Sequence, residues 1–235
     1  METWKEIWER HSADLSGKDD LKSLVMELKR ANGFDVTGDD GISADVWLRH
    51  MTALMQHFGG RVESLYEVGC GSGANLVLAA YLSVGRIGGC DYSYSLVKAA
   101  REATRSSDII CSDAAEFPEE PKYEAVIIDS VVQYFPSLDY TEGVLKRMKS
   151  KADRFMAVLD VFDSSLKNEW MAHRRAVIPD YDRRYGSLDQ DKLFIDRDWL
   201  RSFSEQNGLE VTFYDNDIEG YWNGQYTYNA VFYKK

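Results

Sequence analysis

Cysteine and proline are scarce in this chain of 235 residues, and basic side chains are outnumbered by acidic ones. The three cysteines, Cys70, Cys90 and Cys111, form no C-x-x-C pair, and a zinc cluster or disulfide framework would need more. They read as small buried residues at strand ends in a reducing compartment. With only four prolines there is no Pro-rich linker, and neither an internal repeat nor a low-complexity tract breaks the chain. No apolar run approaches the roughly 20 residues of a membrane span. Met1-Glu2-Thr3-Trp4-Lys5-Glu6 contains no signal-peptide core, so a cytoplasmic protein without a membrane partner is expected. Lys and Arg number 28 against 39 Asp and Glu, a net charge of −11. Nucleic-acid binding needs a basic footprint. The compact basic features here, Arg174-Arg175 and Arg183-Arg184, are interleaved with Asp180 and Asp182. No nucleic-acid partner is expected, whereas a small anionic ligand is not excluded.

What the chain does contain is an ordinary globular balance, 44% hydrophobic and 29% charged, of a length that suits one α/β domain. Its first sixty or so residues read as a helical cap. Trp4, Ile7 and Trp8 recur at helical spacing, as do Leu21, Leu24, Val25 and Leu28, and a third helix from about Ser43 to Phe58 stops at Gly59-Gly60. Short apolar runs then alternate with helical stretches. Strands are expected at Leu65–Val68, Arg86–Cys90, Asp108–Cys111, Ala125–Ile128 and Phe155–Leu159, with a helix capped by Ser137 before the last. That alternation implies a parallel sheet covered on both faces. Residues 161–194 are polar, aromatic and arginine-rich, and read as a substrate-facing insertion. A helix from Asp196 to Asn207 follows, then two alternating runs, Leu209–Tyr214 and Tyr226–Tyr233, expected as an antiparallel pair at the sheet edge.

The strongest local signal is Glu67-Val68-Gly69-Cys70-Gly71-Ser72-Gly73, between a strand and a helix. Glycines there let the backbone turn sharply and approach a ligand, while the free amides of the helix start favour polar or anionic groups. Gly69, Gly71 and Ala74 also satisfy the G-x-G-x-x-G/A form of a dinucleotide site. Acids then stand at successive strand ends. Asp91 closes the second strand, where a carboxylate can accept both hydroxyls of a ribose. Ser112-Asp113-Ala114 follows the third and Asp129-Ser130 the fourth. Each acid alone fits a loop or helix cap; the ordered set along one rim points to a ligand.

With these residues in view, the chain from about 40 to 235 resembles the class I S-adenosylmethionine-dependent methyltransferases. Glu67 through Gly73 is similar to that family's first motif. The resemblance implies a Rossmann-like seven-stranded, mostly parallel sheet with an antiparallel last strand. It also implies S-adenosylmethionine as cofactor, with Gly69 and Gly71 near its methionine part, Asp91 on the ribose and Tyr92 beside the adenine. Asp113 and Ala114 would meet the adenine, and Asp129 and Ser130 would line the methionine end and the substrate entrance. Neither the D/N-P-P-Y/F motif of nucleic-acid adenine or protein glutamine methyltransferases nor the paired-glutamate loop of arginine methyltransferases is present. The acceptor is therefore expected to be a small molecule, anionic or saccharide, methylated on oxygen or nitrogen by a monomer or homodimer.

An in-line methyl transfer from a sulfonium is mainly a problem of positioning. Aromatic walls suited to the cation are Trp47, Tyr134, Phe162, Trp170, Tyr221 and Trp222, each of which also suits core packing. A hydroxyl nucleophile needs a general base. His173, in the insertion, is the first candidate and Asp160, at the fifth strand's end, the second; Tyr134 completes the catalytic set. Among the other histidines, His50 and His57 share one expected helix. The arginines at 174, 175, 183 and 184 can clamp a planar anion or simply face solvent paired with aspartates. No metal site is recognisable. Two other readings share these features: an NAD(P)-dependent oxidoreductase, and a non-catalytic scaffold that keeps the pocket.

Overall fold

The computed structural model describes residues 4–34, 42–185 and 189–234. Three helices come first: α1 (Trp4–Glu9), α2 (Leu21–Ala31) and α3 (Ala44–His57). Asp20 and Ser43 cap the latter two, accepting hydrogen bonds from the amides of Ser23 and Val46. The chain then alternates through β1 (Ser64–Val68), α4 (Ala74–Tyr81), β2 (Arg86–Asp91), α5 (Tyr94–Thr104), β3 (Ile109–Cys111), β4 (Tyr123–Asp129), α6 (Leu138–Lys151) and β5 (Ala152–Phe162). After β5 come α7 (Lys167–Val177), the single turn α8 (Tyr181–Arg184), α9 (Arg197–Gln206), β6 (Leu209–Asp215) and β7 (Thr227–Lys234).

The seven strands lie in the order β3-β2-β1-β4-β5-β7-β6. β1 to β5 are mutually parallel, and β7 runs antiparallel to both β5 and β6. The expected Rossmann-like sheet with an antiparallel last strand is therefore present. A second parallel mononucleotide half, which a dinucleotide-binding sheet carries, is replaced by the β6–β7 pair. β7 inserts between β5 and β6, leaving β6 at the edge. The fifth strand is longer than its apolar core suggested, because β4 pairs along one side and β7 along the other.

Central strands are covered on both faces. Leu65, Ala125, Ile127 and Ala157 pack with α2, α3 and α4 in one core, and Val68, Val126, Ile128 and Val158 pack towards α6 and α9 in another. Cys70 and Cys90 are buried as expected, but Cys111 is exposed. The cause is position: β3 is the opposite edge strand, with no neighbour beyond it. A third, smaller cluster of Phe162, Trp170, Met171 and Tyr226 holds α7 against the end of β5. Among the described residues no helix is long and apolar enough to cross a membrane.

Candidate functional site

In an open parallel sheet, ligands bind outside the carboxyl ends of the strands where the strand order reverses. Here the reversal lies between β1 and β4. Sheet order therefore arranges the acids as Asp160, Asp129, Glu67, Asp91 and Asp113, an order different from their order in the chain. A cavity of about 330 Å³ runs along this rim, lined by Glu67, Gly69, Gly71, Asp91, Tyr92, Asp113, Ala114, Asp129 and Ser130. Of the ten residues the sequence pointed to for the cofactor, Gly73 is the one outside this lining. It opens α4 in the left-handed region, with Ala100 packed against it.

Two glycines show why the turn must be bare. A Cβ on Gly69 would lie 2.5 Å from Val131 Cγ2, and one on Gly71 2.5 Å from Asn32 Oδ1; both residues have positive φ. The Gly71 amide donates to Asp91 Oδ2 at 2.9 Å and the Ser93 amide to Asp91 Oδ1 at 2.8 Å. The Asp91 carboxylate is thereby fixed at the cavity wall, and burial pushes its pKa above the usual range. Asp113 is held by the Ala115 amide at 2.8 Å and by the Tyr140 hydroxyl. Trp8 of α1 closes the opposite side, edge-on to Tyr134, and the loop after it is pinned where Ser95 Oγ donates to His11 O at 2.6 Å. The side chains of Trp4 and Arg184, also named from the sequence, lie outside the described ones.

At the β1–β4 end stands a buried network that sequence reading missed. Asn75 Nδ2 donates to Glu67 Oε1 at 2.7 Å and to Asp129 Oδ2 at 2.8 Å, and its Oδ1 accepts from Lys29 Nζ at 3.0 Å. Lys29 is only 2% exposed, with its ammonium 3.7 Å from the centre of the Trp47 ring. Burial lowers the Lys29 pKa against the opposing pull of Asp129, Glu67 and Asp160. Burial raises Glu67 to about 8, helped by the Asp129 charge, and Glu67 Oε2 has no hydrogen-bond partner. Both residues carried a signal. Lys29 continues the apolar face of α2 one turn beyond Val25, and Asn75 is a lone polar residue in the apolar run Ala74–Tyr81.

A second cavity of about 550 Å³ shares Asn32, Phe34, Ser130 and Tyr134 with the first. Phe162, Trp170, Tyr221 and Trp222 line it, as the search for aromatic walls anticipated, together with Asp160, Arg174, Asp189 and Lys192. Trp47 lines neither cavity and packs behind Lys29. Asp160 lies within β5 at φ +56°, where the register with β7 shifts, and Ser130 beside it has φ +58°. Such non-glycine conformations persist where surrounding bonds over-determine them. Here Asp160 Oδ2 accepts from Ser130 Oγ at 2.8 Å and Tyr221 OH at 2.7 Å, and Oδ1 from Asn216 Nδ2 at 2.9 Å. Burial and Asp129 raise its pKa. His173 is not in either lining; its ring stacks on Trp222 at 5.3 Å. His50 is half-buried beside Trp47, its pKa lowered chiefly by desolvation, and His57 stacks on Tyr214. Arg175 and Arg183 pair with Asp182 and Asp180 at the surface. Among the described residues no group of His, Cys, Asp and Glu is placed to hold a metal.

Comparison with known proteins agrees with this geometry. Residues 66–152 match the family described as Methyltransferase domain. Peramine synthetase A of Epichloe festucae (strain Fl1) is 24% identical over 186 residues, covering 74% of this chain; the chain spans only 7% of that protein's length. Among solved structures, magnesium protoporphyrin IX methyltransferase of Synechocystis PCC 6803 with bound SAH superposes with a TM-score of 0.60. It is 16% identical, with 80% of this chain and 82% of that one covered. The plantazolicin methyltransferase BpumL in complex with SAH gives a TM-score of 0.61 at 15% identity, covering 81% and 84%.

Proposed function

From the premise that residues 66–152 form a methyltransferase domain on a class I methyltransferase fold, we propose that this protein methylates an oxygen or nitrogen atom of a small molecule, with S-adenosylmethionine as donor. The observation that carries the reading is the rim itself. Bare glycines, a fixed carboxylate at Asp91 and a buried Lys29–Asn75–Glu67–Asp129 network line one cavity, which supports a ligand with methionine, ribose and adenine parts. The fit is chemical as well as spatial: Glu67 Oε2 is buried without a partner and accepts from an ammonium once its carboxyl gives up its proton, and the Lys29 ammonium suits a carboxylate. Asp91 would take the ribose diol, and Tyr92, Asp113 and Ala114 the adenine.

When bound, the cofactor supplies a methyl group activated by its sulfonium. The chain's own residues position the acceptor. Ser130 and Tyr134 border both cavities, so the acceptor atom would sit beside them. Tyr134 stays a protonated phenol, because burial raises its pKa. Asp160 already accepts three hydrogen bonds and acts by fixing Ser130 and Tyr221, and His173 by bracing Trp222. An aromatic chamber with charged corners suits an anionic or saccharide acceptor. We place the working protein in the cytoplasm as a monomer or homodimer.

Calorimetric titration with S-adenosylhomocysteine, with NADH in parallel, tests the cofactor assignment. Micromolar binding of the former is expected, weakened about 10- to 100-fold in Asp91→Ala, as follows from losing hydrogen bonds to a charged group worth about 1.5–3 kcal/mol. NADH binding in its place would refute the proposal.

A further inference from the structure

Between the two acceptor chemistries, we propose that the second cavity recognises an oxyanion, a carboxylate or phosphate of the acceptor, through Arg174. This rests on the methyltransferase reading of the adjoining cavity. Arg174 projects from α7, and its Nε faces Asp189 Oδ2 at 2.6 Å. The Asp189 side chain is fully buried, whereas that of Arg174 keeps 14% exposure. Asp189 therefore holds the guanidinium by charge, the closest approach of the pair being at Nε. A guanidinium meets a planar anion with two parallel bonds, and Arg174 lines the second cavity with part of its side chain exposed.

The surroundings favour the same ligand. The guanidinium carbon lies 5.0 Å from the ring centres of both Trp170 and Tyr185 and 5.8 Å from that of Trp222, which restricts its movement. Lys192 brings a second buried cation to the same lining, 4.3 Å from the Tyr134 ring centre and so beside the wall shared with the cofactor cavity. Of the two acids of the chamber, Asp160 is held by Ser130, Tyr221 and Asn216, and the charge of Asp189 is balanced by Arg174. The Trp170 and Tyr134 rings already carry protein cations. What the chamber offers an incoming ligand is the Arg174 guanidinium among aromatic walls. A ring-bearing or otherwise apolar acceptor with one anionic group fits it.

The test uses the full chain saturated with S-adenosylhomocysteine and titrated with benzoate, phenyl phosphate, methyl benzoate and benzylamine, read by calorimetry and tryptophan fluorescence. Benzoate or phenyl phosphate should bind at least tenfold more tightly than the neutral ester and the amine, and the stronger of the two identifies the oxyanion. Arg174→Met should weaken that anion at least tenfold, and Arg174→Lys should restore part of the loss. Lys192→Met should weaken it less than Arg174→Met does. S-adenosylhomocysteine affinity should stay within twofold in all three variants, which shows that the fold is intact. Equal binding of benzoate and its methyl ester, preference for benzylamine, or an Arg174→Met variant that keeps wild-type anion affinity would overturn the inference while leaving the cofactor assignment standing. Absence of S-adenosylhomocysteine binding would instead refute the proposed function; the anion preference is then read on the unliganded protein by the same criteria.

Discussion

Lys29 and Glu67 show how much one buried side chain can depend on its setting. Lys29 lies against the Trp47 and Phe34 rings with Asn75 as its hydrogen-bond partner, at the end of the cavity where the methionine carboxylate would lie. Lys29→Met is expected to weaken S-adenosylhomocysteine about tenfold or more yet leave 5′-methylthioadenosine, which lacks the amino-acid part, nearly unchanged. Equal losses for the two ligands in parallel titrations would show that Lys29 serves the fold alone. Glu67 yields a pH dependence. Folded, it keeps its proton up to about pH 8, whereas in the unfolded chain it ionises near the ordinary value of about 4.3. Within that window the folded state holds the extra proton, so this group's contribution to stability falls as pH rises. Thermal melts should therefore show Glu67→Gln gaining on the wild type between about pH 5 and about pH 8. The opposite trend would mean that Glu67 is ionised in the folded protein. Both residues announce themselves by chemistry out of pattern, a lysine on an apolar helical stripe and a glutamate in a central strand. The sequence does not say that they meet across a hydrogen-bonded asparagine.

Helices and strands were legible to different degrees. α5, α6 and α9 begin where Ser93, Ser137 and Asp196 can accept a hydrogen bond from the first turn, and their apolar spacing fixes their faces. β5 was underestimated, because strand ends are set by what pairs alongside. The insertion was recognised by its length and composition, but its content was not. α7 brings Trp170 and Arg174 into the second cavity, while Arg175 and Arg183 stay in solvent. Arg174 and Arg175 are adjacent in sequence and are separated only by which face of α7 meets the second cavity. Trp170 is the anchor of that element, 1% exposed, edge-on to Phe162 and donating through Nε1 to Asn223 Oδ1 at 2.8 Å. Trp170→Ala is expected to cost about 3–5 kcal/mol in urea denaturation. Because no residue of α7 lines the cofactor cavity, the affinity for S-adenosylhomocysteine should fall less than threefold. A large loss would mean that the insertion also shapes the cofactor site.

At the scale of the whole molecule the decisive facts are one continuous sheet and a net charge of −11. β5 contacts both the cofactor-binding strands and the C-terminal pair, so the helical cap, core and insertion should unfold together as a single domain. Far-ultraviolet and tryptophan signals are expected to share one urea midpoint; two separated transitions would identify an independent unit. Excess negative charge destabilises the compact state by self-repulsion, and salt screens it. Raising sodium chloride should therefore increase the melting temperature, and a fall would show that attractive surface pairs dominate.

Composition, periodicity and the glycine turn by themselves determined the layered α/β class, the alternation of elements and the glycines and strand-end acids that line the first cavity. These are local properties: a strand's apolar run, a helix cap and a positive-φ turn are settled by neighbours in the chain. Only the tertiary structure decided the rest. The crossover from β3 back to β4 turns the chain order of the acids into their order along the rim. The insertion of β7 between β5 and β6 lengthens β5 and bends it at Asp160. The fold of α7 then brings Arg174, and not Arg175, to the second cavity and stacks His173 on Trp222. Each is a contact between residues far apart in sequence, and the free energy that selects it comes from burying surfaces the chain brings together only when folded.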